Sequence, residues 1–169
     1  MDSFDEALPA MTLAGLDDSR RAVLDLLGGM RRTLCLYTPL VRAELYDDAG
    51  VLAAIRAAVV GQPRLRLRLL LPPAREWRTA CPGLLRLSER LSSALLLRTP
   101  DPEDLTEQPE LGQAFLIADA RVLLRLSDPR RLLGSYEAQP SDRLKERLDL
   151  FERLWSRAQP DPALSRLGL

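Results

Sequence analysis

Residues 113–122 read Gln-Ala-Phe-Leu-Ile-Ala-Asp-Ala-Arg-Val. The apolar run from Ala114 to Ala118 has the length and composition of a strand, and a second apolar run, Arg121 to Ser127, resumes almost at once. So short a gap makes a hairpin the natural connection. Asp119 falls in its turn, a position where Asp bonds readily to nearby backbone.

Upstream of this hairpin, helices and strands alternate. Asp17 or Asp18 can cap a helix carrying Ala22, Val23, Leu26, Leu27 and Met30 at helical spacing. Thr33 to Thr38 is a short apolar run closed by Pro39 and reads as a buried strand. The Ala-rich segment Val51 to Val60 favours helix and ends at Gly61. Arg64 to Leu71 alternates Arg with Leu, the period of a strand with one charged face. Strand, helix, strand in this order predicts a parallel pair joined by a right-handed crossover. A helix is expected within Arg75 to Leu91, its first half broken by Pro82 and Gly83, followed by a short strand over Ala94 to Arg98. Thr99 to Glu110 holds three Pro and five acidic residues and reads as a solvated, mobile loop. Beyond the hairpin, Arg130 to Ala138 contains one more short strand, and Ser141 can cap a final amphipathic helix, Asp142 to Arg157. This divides the chain into an arm (1–15), one α/β domain (16–158) and a tail (159–169).

Composition removes whole classes of chemistry. The 169 residues include 24 basic and 24 acidic side chains, so no global field draws the chain to nucleic acid or anionic lipid. Histidine is absent, which rules out Ser-His-Asp and Cys-His pairs, an imidazole shuttle and His-ligated zinc. Cys35 and Cys81 are too few for a disulfide framework or a zinc site and are expected to be reduced packing residues. No apolar run approaches the ~20 residues of a membrane span, and the acidic start is unlike a signal peptide. A cytoplasmic protein with no membrane partner, metal or cofactor is expected.

The hairpin segment resembles the signature of the phospholipase D superfamily, H-x-K-x-x-x-x-D, in which an apolar strand separates Lys from Asp. Asp119 matches the Asp, while Gly112 stands at the His position and Ala114 at the Lys position. The family also places a Gly-Ser pair after the hairpin, for which this chain offers Leu126-Ser127 or Gly134-Ser135. The resemblance covers about residues 16 to 158 and implies the family's fold, a mixed, largely parallel sheet flanked by helices. In that family the His carries a phospho-enzyme, a second His protonates the leaving group and Lys neutralises phosphate. Gly112 and Ala114 can do neither, so the resemblance implies a degenerate, non-catalytic binding or interaction module. Because active members build one site from two repeats, it also implies a homodimer. It is similar as well to bacterial domains of unknown function found beside acyltransferase-type domains, which implies a partner enzyme.

Seven residues are candidates for holding a ligand. Asp119 and Arg121 could orient a group at a pocket, although Asp in a turn commonly serves the backbone. Arg64, Arg66 and Arg68 share one strand face and could grip a phosphate-bearing ligand, or simply form a charged outer face over apolar neighbours. Ser127 and Ser135 are hydroxyls without a visible activating base. Trp77 between Arg75 and Arg78 could stack on a base or pack at a helix edge. The alternative function is a nucleic-acid or phosphate-ligand binder using an Arg patch. An enzyme with a repurposed pocket of Asp, Glu, Tyr or Ser would need a carboxyl group with a shifted pKa in a cleft.

Overall fold

The computed structural model describes residues 10–106 and 108–165; the start of the expected arm, Glu107 of the acidic loop and the last residues of the tail lie outside them. A seven-stranded sheet is formed by β1 (Met11–Ala14), β2 (Thr33–Tyr37), β3 (Arg66–Leu70), β4 (Leu95–Arg98), β5 (Ala114–Ala118), β6 (Val122–Asp128) and β7 (Leu133–Glu137). Its order is β1-β7-β6-β5-β2-β3-β4. The expected parallel crossover is present, with β2 beside β3 and β3 beside β4, both parallel. Every other pairing is antiparallel, so the expectation of a largely parallel sheet is corrected. The reason is where the hairpin docks: β5 inserts against β2, and β6, β7 and β1 follow outward from it. Periodicity identifies strands but not their neighbours, and this half of the sheet is built by long-range pairing.

The helices are α1 (Leu16–Gly29), α2 (Ala43–Tyr46), α3 (Ala49–Gly61), α4 (Pro82–Arg90), α5 (Pro102–Leu105), α6 (Asp142–Arg157) and α7 (Pro162–Ser165). Helix α1 begins at Leu16 with Gly15 as its N-cap, so neither Asp17 nor Asp18 caps it. Asp18 instead accepts the backbone N–H of Ala14 at 2.9 Å, tying the helix to the strand before it. Pro82 opens α4 rather than breaking it, because the first helical position needs no N–H partner. Ser141 caps α6 as expected, accepting from the Leu144 N–H. The acidic loop contains the short α5, and Asp101 and Asp104 both pair with Arg157 at the end of α6.

Helices cover both faces of the sheet. On one side Leu26, Leu36, Leu67, Leu69, Leu116 and Leu124 join α1, α3 and α4 in the larger core. On the other, Cys35, Ile117 and Leu123 pack beneath α6 with Phe115 and Phe151. Strand β5 is therefore buried at every residue, as its unbroken apolar run requires. A fully buried Leu stabilises the fold by about 1.5–3 kcal/mol, so the sheet holds this central strand firmly. Among the described residues no helix is long and apolar enough to cross a membrane.

Candidate functional site

The β5–β6 turn places two consecutive residues in left-handed conformation, Asp119 at φ 54° and Ala120 at φ 53°. Asp tolerates this region better than most residues, and the turn aims its carboxylate at the start of β2. One carboxylate oxygen accepts the N–H of Arg31 at 2.8 Å; the other accepts those of Arg32 at 2.7 Å and Thr33 at 3.0 Å. Asp119 thus clamps the α1–β2 connection to the hairpin, and both of its oxygens are engaged by backbone. Beside it lies an open groove of about 570 Å³, whose walls include Gly28, Gly29, Ala118, Arg121 and Tyr136. The Tyr136 hydroxyl donates to Asp25 at 3.0 Å. Burial, the hydrogen bond to Asp25 and the charge of Asp25 push the Tyr136 phenol up to about 12.

The seven sequence-predicted residues do not converge. Arg121, Arg64 and Arg66 are exposed near the Asp119 end of the sheet. There the Arg66 N–H bonds to the Arg32 carbonyl, so β3 begins beside the segment that Asp119 clamps. Exposed Arg31 and Arg32, which the sequence pattern did not single out as ligand candidates, extend this basic surface. Arg68 is elsewhere, under α6: it pairs with Glu152, donates to the Cys35 sulfur and lies over the rings of Phe151 and Trp155. With Arg68 covered by α6 and held by Glu152, the three strand arginines are not free to meet at one phosphate.

Ser127 and Ser135 lie away from the turn. Ser127 donates to the Leu133 carbonyl at 3.3 Å, closing the β6–β7 connection. Ser135 pairs in register with Arg125 of β6. Gly134 has a steric reason to be glycine: a Cβ there would stand 1.8 Å from the Arg125 carbonyl oxygen. Gly112 is exposed, but Ala114, two residues on, is 0% exposed and pairs with Leu126, also 0% exposed. The side-chain position at which the signature places Lys is thus closed inside the apolar core. Trp77 is likewise packed, at 2% exposure, with its indole N–H bonded to the Pro72 carbonyl. Both cysteines are free and buried. Among the described residues no three His, Cys, Asp or Glu side chains are grouped to hold a metal.

A family model matches residues 15–167, nearly the whole chain. The chain belongs to the family described as a domain of unknown function, DUF7931. No curated protein matches the sequence. Among solved structures, this DUF7931 domain is similar to NucT from Helicobacter pylori, with a TM-score of 0.62, 6% identity, and coverage of 89% of this chain and 96% of that one. It is also similar to TrmBL2, an archaeal chromatin protein, with a TM-score of 0.60, 14% identity and coverage of 94% of this chain. A third likeness is to the phosphatidylserine synthase of Haemophilus influenzae, with a TM-score of 0.53, 14% identity and coverage of 89% of this chain. The chain spans 56% of the length of TrmBL2 and 38% of that of the synthase. At these identities the likenesses concern the fold, and that fold is phospholipase D-like.

Proposed function

We propose that this domain is a non-catalytic phospholipase D-like module that works by binding. The observation that carries this reading is Ala114, whose methyl group fills a sealed core position where the superfamily signature has a phosphate-neutralising Lys. A cation there would need a partner and a path to solvent, and the surrounding side chains provide neither. The composition agrees, since a chain without His has no group to form a phosphohistidine. With micromolar purified protein, a chromogenic phosphodiester such as bis(p-nitrophenyl) phosphate is expected to hydrolyse no faster than in buffer. Turnover that co-purifies with the protein through successive columns would refute the reading. The same proposal includes a homodimer and a role accessory to a partner enzyme, both resting on the family resemblance.

One observation favours nucleic acid as the occupant. Arg31, Arg32, Arg64, Arg66 and Arg121 are all exposed near one end of the sheet, and of the nearby acidic groups Asp119 is engaged by backbone and Asp25 by the Tyr136 hydroxyl. Clustered guanidiniums can track a phosphate backbone even on a chain of zero net charge. Binding through this surface would weaken with salt at a logarithmic slope of up to about −4.5 for duplex DNA, given five contacts at most. No binding at low salt removes this occupant.

A further inference from the structure

Strand β6 carries a cation in an otherwise apolar run, Val122-Leu-Leu-Arg-Leu126. Register places Arg125 opposite Phe115 on β5 and Ser135 on β7. Phe115 packs edge-on against Phe151 of α6, so Arg125 lies on the α6 face, away from the core position of Ala114. The first two turns of α6 bring Arg143 and Arg147, four residues apart on one side of the helix, toward the same place. Arg143 is engaged by Glu137 at 2.8 Å. Arg125 and Arg147 form no ion pair or side-chain hydrogen bond with any described residue, and the Nε of each is buried without a partner. Burial and then the charges of Arg143 and Arg147 lower the Arg125 pKa, with Glu137 opposing them.

Leaving two guanidinium Nε–H groups buried and unpaired carries a desolvation cost that a bound anion would relieve. Three Arg with one Glu leave an excess of two positive charges, and the charge of a phosphate dianion balances it. Guanidiniums also match tetrahedral oxyanions through paired hydrogen bonds. We propose that Arg125, Arg143 and Arg147 form a seat for a phosphate dianion on the α6 face of the sheet, distinct from the signature position at Gly112 and Ala114. The seat stands whether or not the chain hydrolyses phosphodiesters, so the two proposals fail separately.

The test is calorimetric titration of the full chain with inorganic phosphate at fixed ionic strength, with acetate and chloride as the competing anions. Saturable one-site binding of phosphate is expected, with acetate and chloride at least about tenfold weaker. Arg147→Gln and Arg125→Gln should each weaken phosphate by about tenfold or more, and Glu137→Gln should tighten it by removing the resident anion. The double variant Arg64→Gln, Arg66→Gln should bind as the parent does. Arg147 is on a helix flank, so its variant keeps the test decisive if Arg125→Gln fails to fold. Absence of saturable binding at tens of millimolar phosphate overturns the proposal. So does binding that acetate matches, or binding lost in the Arg64, Arg66 variant and kept in Arg147→Gln.

Discussion

Replacing Asp119 separates a backbone clamp from a ligand group. In the structure its carboxylate accepts three backbone N–H groups, at 2.8, 2.7 and 3.0 Å. Those of Arg31 and Arg32 face solvent, so water takes over as acceptor and each bond is worth only about 0.5 kcal/mol net. The Thr33 N–H is part-buried, and losing its charged acceptor costs about 1.5 kcal/mol. Alanine also adopts the left-handed turn conformation at a cost of about 1 kcal/mol. Asp119→Ala should therefore destabilise the fold by about 3–4 kcal/mol, large for a single substitution. Asp119→Asn keeps the turn preference and a neutral acceptor and should cost about half as much. Asp119→Gly, freed of the turn penalty, should be less damaging than Ala by about 0.5–1 kcal/mol. Urea denaturation with a common m-value reads these differences as midpoint shifts. An Asp119→Ala protein within about 0.5 kcal/mol of the parent would refute the clamp. If that variant also lost a ligand, Asp119 would be a binding residue and its backbone bonds incidental.

Gly134→Ala would put a methyl group 1.8 Å from the Arg125 carbonyl oxygen, forcing β6 and β7 apart. It should lower stability by more than about 3 kcal/mol or prevent folding, while Ser135→Ala at the next position changes the melting temperature little. The Arg68–Glu152 pair anchors α6 across the sheet, with the Arg68 side chain 23% and the Glu152 side chain 50% exposed. The hydrogen bond from Arg68, then its charge, hold the Glu152 carboxyl below its ordinary value despite partial burial. Its contribution is therefore present above the unfolded carboxyl pKa of about 4.3 and lost as pH falls through the lower folded value. Glu152→Gln should cost about 0.5 kcal/mol at pH 7 and flatten the stability profile below about pH 4.5. Arg68→Met removes its stacking on Phe151 and Trp155 as well and should cost about 1–2 kcal/mol, measurable by the same denaturation at neutral pH.

The sequence by itself determined the elements whose cause is local. An apolar run, a turn at Asp119 and a second run specify the β5–β6 hairpin, because a gap that short has few ways to close. Ser141 and the apolar stripe behind it specify α6 from its cap to its last turn, and an Ala-rich stretch ending in glycine specifies α3. Absence of histidine likewise needed no coordinates. Only the tertiary structure decided which strands are neighbours, and with that the sheet changed from largely parallel to mostly antiparallel. It decided that Asp119 serves the backbone of residues 31 to 33, a contact made across 86 to 88 positions of sequence. It also parted Arg68 from Arg64 and Arg66, which an alternating pattern alone presents as equivalent. The side of a strand is set by its own period, but what covers that side is set by elements far away in the chain. For the same reason Arg125, one charge in an apolar strand, acquired meaning only when α6 laid Arg143 and Arg147 beside it.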